Sequence, residues 1–213
     1  MSCCTVDGTD KAFSRQARRY AKKFRRSGLD RAQRSIVIGL ERLGIEGKSI
    51  LEIGCGVGGL HLTLLKKGAT SAFGVEISAG MIVKAKELAA ELGVSERVAY
   101  LQGDLVSANG EVQPADIVIM DKVLCCYTDA QLLIERSAAK ANVFYAVSYP
   151  RDAWLARLGF LSIERVGRLF RWSFHPFYHE PAELDRMVQQ NGWRSVFSDT
   201  TPIWQVRIFR KEQ

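Results

Sequence analysis

The chain is predicted to adopt an α/β fold on a mostly parallel sheet, and two features of the sequence predict it. Five short apolar runs rich in β-branched residues, at 49–53, 71–75, 98–101, 116–120 and 142–148, alternate with helical patterns at 60–67, 81–92 and 129–140. Strands separated by helices are joined by right-handed crossovers, which make the strands parallel. The first run also leads directly into a glycine-rich stretch, LEIGCGVGG at 51–59, which opens the next helix. Strand, glycine loop and helix in that order set a helix N-terminus beside backbone that a polar ligand can approach closely.

Ahead of the first strand, residues 1–44 read as a basic helical arm or lid. Residues 1–35 hold ten Lys/Arg against Asp7, Asp10 and Asp30, so the whole net charge of +7 sits there and the rest of the chain is balanced. A basic arm on a neutral body is a local feature, unlike the uniform basicity of many nucleic-acid-binding proteins. Phe13, Ala17, Tyr20 and Phe24 recur at intervals of four, three and four, one stripe of an amphipathic helix. Three readings of the arm stay open: a lid on the body, a membrane-surface helix over residues 11–26, or a phosphate-binding face. Asp30 then caps a helix through Ile36, Ile38, Leu40 and Leu43 that ends at Gly44.

Beyond Pro150 an apolar and basic helical region, 152–171, precedes the aromatic run RWSFHPFYHEP. Pro181 starts a helix through Leu184, Met187 and Val188 to Gly192, and runs at 193–198 and 203–209 pair as a hairpin. With no repeat or linker, the chain divides into the arm and one domain, 45–213, in which 152–181 form an acceptor-side cap insertion. A length of 213 residues suits a single core. No apolar run approaches the roughly 18 residues of a membrane span, and charges occupy the place of a signal peptide's apolar stretch. A cytoplasmic location is expected. The five cysteines are odd in number and two pairs are vicinal, Cys3–Cys4 and Cys125–Cys126, which favours reduced thiols over a disulfide framework; no residue is assigned to a metal, although four thiols brought to one mouth would also suit a structural zinc or a metalloid.

The glycine loop alone does not choose its ligand. Gly54, Gly56 and Gly59 satisfy the dinucleotide pattern GxGxxG, and Gly54, Gly56 and Gly58 satisfy ExGxGxG after Glu52. Glu76, at the end of the second strand and followed by Ile77, suits ribose hydroxyls in either case. The third strand separates the readings: VAYLQGDL puts Asp104 and Leu105 just past a strand edge, and the family resemblance given next implies that an acid at this place accepts from an adenine amino group. Glu52 beneath the loop suits a cationic sulfonium and ammonium better than a pyrophosphate.

In ExGxGxG at 52–58, VEIS at 75–78, GDL at 103–105 and the terminal hairpin, the sequence resembles the class I S-adenosylmethionine-dependent methyltransferases over about residues 45–210. The resemblance implies a Rossmann-like, doubly wound, seven-stranded mostly parallel sheet with an antiparallel last strand. It also implies S-adenosyl-L-methionine as cofactor over the C-terminal ends of the first two strands. Glu52, Gly54, Gly56, Gly58, Glu76, Ile77, Asp104, Leu105 and Asp121 are the expected cofactor residues.

A partial resemblance to magnesium-protoporphyrin O-methyltransferases rests on Val123-Leu124-Cys125-Cys126-Tyr127, on Ser148-Tyr149-Pro150, and on Phe177-Tyr178-His179 running into Gly192-Trp193. That family's loop histidine aligns with Cys126. Cys126, Tyr127 and His179 are the expected acceptor-side residues, and His61 is read as structural. The pair His175 and His179 straddles Pro176, which disfavours the helix needed to align both on a metal. Trp154, Phe160, Phe170, Trp172, Phe174, Phe177 and Tyr178 are expected to cap a flat or apolar acceptor. The expected function is methyl transfer to an apolar small molecule at oxygen. Two alternatives remain: methylation of a soft acceptor, a thiol or metalloid, using Cys125 and Cys126 with Cys3 and Cys4, or an RNA- or membrane-binding module with a regulatory cofactor site.

Overall fold

In a computed structural model, which describes residues 6–108, 112–169 and 177–212, the chain forms a seven-stranded sheet flanked by helices. The elements in chain order are α1 (Val6–Ser14), α2 (Ala17–Ser27), α3 (Arg31–Leu43), β1 (Ser49–Ile53), α4 (Gly59–Lys66), β2 (Ser71–Glu76) and α5 (Ala79–Glu91). They continue with β3 (Val98–Gln102), β4 (Ala115–Asp121), α6 (Ala130–Ala138), β5 (Ala141–Pro150), α7 (Trp154–Leu169), α8 (Pro181–Gln190), β6 (Trp193–Thr200) and β7 (Trp204–Lys211).

The sheet order is β3-β2-β1-β4-β5-β7-β6, with β7 antiparallel to both its neighbours. The order in which strands are laid down reverses between the parallel neighbours β1 and β4, and in a doubly wound sheet that switch point opens a crevice at the strands' C-terminal ends. Every expected strand is present. Central strands are apolar on both faces because helices cover both: Ile117 and Ile119 pack into one core with Leu40, Leu64 and Ile208, while Val118 and Met120 pack into the other with Leu133 and Leu184.

The arm departs from its expected form. Its apolar stripe runs across a break, since α1 ends at Ser14 and α2 begins at Ala17. The break lets the two helices serve different neighbours. The Ser14 hydroxyl accepts from the Gly80 backbone N–H (3.0 Å) and meets the Ser78 hydroxyl (2.8 Å), and Asp10 accepts from the Ala79 N–H (3.1 Å). These are otherwise unmatched donors of the first turn of α5, so α1 caps another helix. In α2, Ala17 and Ala21 are buried and Phe24 lies against Gly59 at the start of α4. Between α2 and α3, Asp30 forms a capping box with Gln33, as its sequence context indicates.

Candidate active site

A cavity of about 410 Å³ lies over the C-terminal ends of β1, β2 and β4, bounded by the glycine loop on one side and by the arm on the other. Its lining includes Glu52, Gly54, Gly56, Glu76, Ile77, Asp104, Leu105 and Asp121. Of the expected cofactor residues only Gly58 is set back from it. Gly58 is the N-cap of α4 with φ at +79°, and a Cβ there would meet the His61 ring at 2.9 Å. At Gly56, where φ is +55°, a Cβ would meet nothing within 4 Å. That glycine presents bare backbone to open space.

Three acids stand at successive strand ends. Glu76 accepts from the Gly56 N–H (2.8 Å) and the Ser78 N–H (2.9 Å), which ties the second strand's carboxylate to the glycine loop. Burial pushes its carboxyl above the usual carboxylate range despite these bonds. Asp104 accepts from the Val106 N–H (3.3 Å) and the Ser107 hydroxyl (3.1 Å). Beneath the loop, Glu52 accepts from His61 through its backbone N–H (3.2 Å) and Nδ1 (2.6 Å). With Nδ1 donating, Nε2 accepts from the Tyr100 hydroxyl (3.1 Å), so a relay from half-buried Tyr100 through buried His61 to buried Glu52 supports the loop. Burial drives the Glu52 and Tyr100 pKa values up, and the Cys55 thiol, also near Glu52 and Glu76, is raised well above its ordinary value. The reading of His61 as structural agrees with this geometry.

A second polar cluster, which the sequence reading missed, sits at the end of β4. Lys122 has φ at +61°, and its Nζ lies 2.5 Å from Asp30 Oδ2 and 3.2 Å from Asp121 Oδ2. Gln33 Nε2 donates to Asp121 Oδ2 (3.0 Å) and the Ser148 hydroxyl to Oδ1 (2.5 Å). Burial would lower the Lys122 pKa, but Asp121 and Asp30 together raise it, and Lys122 in turn outweighs burial to hold Asp30 below its usual range. Only the left-handed φ flags this residue, and a sequence does not display it.

On the acceptor side, Cys126 and Tyr127 line the cavity. Cys125 is buried, with its Sγ 3.3 Å from the Lys122 carbonyl oxygen, so of the vicinal pair Cys126 is the one at the cavity. His179 is outside the lining: its Nε2 donates to the Tyr127 carbonyl (2.7 Å), so it contacts the loop and not the cavity. The backbone N–H of Phe177 donates to the Cys125 carbonyl (2.7 Å) and its ring is buried. Cys3, Cys4, Phe170, Trp172, Phe174 and His175, together with the side chains of Trp154 and Phe160, lie outside the described residues. Among the described residues the cavity's aromatic wall is Phe13, Tyr20, Phe24 and Tyr127, three of them from the arm, and no group of three His, Cys, Asp or Glu could hold a metal ion.

Residues 50–140 match the methyltransferase domain family. The match takes in less than half of the chain. Its fold is that of the class I S-adenosylmethionine-dependent methyltransferases: it superposes on the S-adenosylhomocysteine-bound magnesium protoporphyrin IX methyltransferase of Synechocystis PCC 6803 with a TM-score of 0.67, at 21% identity, covering 94% of this chain and 98% of that one. Among curated relatives, the ribosomal protein L11 methyltransferase of Enterobacter sp. (strain 638) is 36% identical over 81 residues, 38% of this chain and 26% of the relative. That of Aliivibrio fischeri (strain MJ11) is 27% identical over 155 residues, 72% of this chain and 46% of the relative. The chain thus spans less than half of these relatives. S-adenosylmethionine is the cofactor of this domain class, and the residues present fit it: a side-chain-free cradle at Gly56, with Glu52, Glu76 and Asp104 in the same lining. No helix among the described residues is long and apolar enough to cross a membrane.

Proposed function

We propose that the protein is an S-adenosylmethionine-dependent methyltransferase that methylates an apolar small molecule at oxygen. The observation that carries this reading is one continuous cavity in which Glu52, Glu76 and Asp104 share space with Phe13, Phe24, Val123 and Tyr127. When bound, the cofactor would supply a methyl group on a sulfonium: an acceptor oxygen lone pair would attack the methyl carbon in line as the C–S bond breaks, with S-adenosylhomocysteine as the leaving group. Glu76 serves the ribose hydroxyls, Asp104 the adenine amino group, and the backbone at Gly54 and Gly56 allows close approach.

Transfer of this kind asks the protein to align a nucleophile and exclude water. The arm supplies the roof through Phe13, Tyr20 and Phe24. Cys126 and Tyr127 flank the acceptor from the β4 side, and His179 acts by fixing the Tyr127 carbonyl. Neither Cys126 nor Tyr127 is a strong base at neutral pH, which suits an acceptor oxygen that is already ionised, a carboxylate above all. Lys23, which lines the cavity from α2, would balance its charge.

Titration calorimetry with S-adenosylhomocysteine, followed by mass spectrometry of apolar carboxylic acids incubated with enzyme and cofactor, tests the reading. A mass gain of one methylene, lost on mild ester hydrolysis, is the expected result. Cofactor binding without a methylated oxygen in any apolar acid would overturn the acceptor assignment, and absence of cofactor binding would overturn the activity.

A further inference from the structure

Two surfaces near the cavity are unused by the reading above. On α2, Ala17 and Ala21 are buried against the body, while Arg18, Arg19, Lys22 and Arg26 project from the opposite side into solvent. These four, with Arg15, carry no ion pair among the described residues, unlike Arg25, whose guanidinium bonds Glu91 on α5 at 2.5 and 2.8 Å. On α7, Leu158, Ile163 and Val166 remain 57%, 45% and 41% exposed, and Ile203, between β6 and β7, is 50% exposed. Leu158, Ser162 and Val166 are four apart, one face of the helix.

A chain of contacts links the residue before α7 to the turn that follows α2. Arg151, just before α7, donates its N–H to the Ile203 carbonyl (2.8 Å). The neighbouring Trp204 ring lies 5.5 Å from Lys122 Nζ, and Lys122 bonds Asp30, which follows α2. Of the arm's apolar stripe, Ala17 is buried, Phe13 and Phe24 are half-buried against the body, and Tyr20 remains exposed. Also outside are the arm's basic face and the exposed aliphatic residues on α7.

We infer that these two surfaces dock on an anionic lipid bilayer, the arginines and lysine of α2 against lipid phosphates and Leu158, Ile163, Val166 and Ile203 in the boundary between headgroups and acyl chains. Charge complementarity names the surface: the entire net charge of +7 is concentrated in the first 35 residues. The aliphatic side chains exclude a bare polyphosphate as occupant, because they gain nothing from phosphate and gain free energy by leaving water in a bilayer. An apolar acceptor would then reach the cavity from lipid without crossing water. That benefit rests on the function proposed above, whereas docking is measured without turnover.

The test is sedimentation of the full chain with vesicles of phosphatidylcholine alone or mixed with phosphatidylglycerol. Binding to the mixed vesicles only, weakening steeply with salt, is expected. Replacing Arg18, Arg19, Lys22 and Arg26 by alanine should lower the partition coefficient at least about a hundredfold, at roughly fivefold per charge. Leu158→Ser with Val166→Ser should lower it about tenfold or more at constant salt dependence, since it removes buried apolar area and no charge. Both variants change exposed positions, and an unaltered melting temperature shows that they fold. Equal binding to both vesicle types, no binding, or a serine variant that partitions like the wild type would overturn the inference. So would binding of an RNA oligonucleotide in preference to the mixed vesicles.

Discussion

Lys122 Nζ sits 2.5 Å from Asp30 Oδ2, joining the end of β4 to the turn between α2 and α3 across 92 positions of sequence. Asp121, on the other side of the ammonium at 3.2 Å, makes the cation common to a cavity wall and that turn. Replacing Lys122 by methionine leaves two carboxylates facing each other without their cation. We expect about 2 kcal/mol of lost stability, a fall of roughly 4–8 °C in melting temperature for a chain of this size. Lys122→Gly loses the same pair but relieves a left-handed φ of +61°, so it should be about 1 kcal/mol less damaging than methionine. Equal melting temperatures for the two variants would show that the backbone strain is not real.

The same pair predicts a pH profile. Asp30 is lowered in the fold, so its contribution is present above the unfolded value of about 3.9 and is lost as pH falls through the lower folded value. Lys122 is raised, so its contribution is complete below about 10.4 and is lost as pH rises through the folded value. The stability difference between wild type and Lys122→Met, followed by urea unfolding, should be flat from about pH 5 to pH 9 and shrink at both ends. A difference that grows at either extreme would contradict the pairing.

Asp104 follows a strand edge in the part of the cavity assigned to adenine, and its own partners are the Val106 N–H and the Ser107 hydroxyl. Asp104→Ala should weaken S-adenosylhomocysteine binding about tenfold, the effect of one hydrogen bond to a charged group. Calorimetry also tells the assignment from a loop effect: methylthioadenosine, which keeps the adenine, should lose as much affinity as the full cofactor product. Full affinity in the alanine variant would end the adenine assignment.

What the sequence displayed and what it concealed divide along physical lines. Strands were legible because burial on both faces demands runs such as Ala115–Asp121, and the cofactor acids because each follows a strand end. The split between α1 and α2 was not, because the interval of four between Phe13 and Ala17 holds the helical period across the break. Only the contact of Ser14 with the N-terminus of α5 shows why the chain stops there. Nor could alternation tell Cys125 from Cys126, since Leu124–Cys126 form a 3-10 turn, where the two-residue period of a strand does not apply. Lys122 was hidden for a third reason: its partner Asp30 already had a sufficient explanation as a helix cap.

The Tyr100–His61–Glu52 relay offers a probe that leaves the cavity lining intact. Tyr100→Phe removes the hydroxyl that His61 Nε2 meets at 3.1 Å and leaves a buried ring nitrogen without that donor. About 1–3 kcal/mol of stability should be lost, with cofactor affinity changed less than by Asp104→Ala. A melting temperature at or above the wild type's would mean that the hydroxyl is not satisfying His61.

Gly80 tests whether docking of α1 matters to the cofactor site. A glycine-to-alanine change in the first turns of a helix ordinarily favours the helix by up to about 1 kcal/mol. Here an added Cβ would meet Ser14 Cβ and Oγ at 2.8 Å and its backbone Cα at 2.9 Å. Backbone cannot swing away as a side-chain tip can, so the methyl group must push α1 off the N-terminus of α5, two residues beyond Ile77. Gly80→Ala should therefore be cut by trypsin after Lys11 and Arg15 many times faster than wild type, and should bind S-adenosylhomocysteine more weakly while the sheet domain melts at nearly the same temperature. Gly159→Ala is the control, because a Cβ there meets nothing within 4 Å. If Gly80→Ala gains the ordinary helix stabilisation and keeps wild-type resistance to trypsin, α1 does not dock on α5 through Ser14.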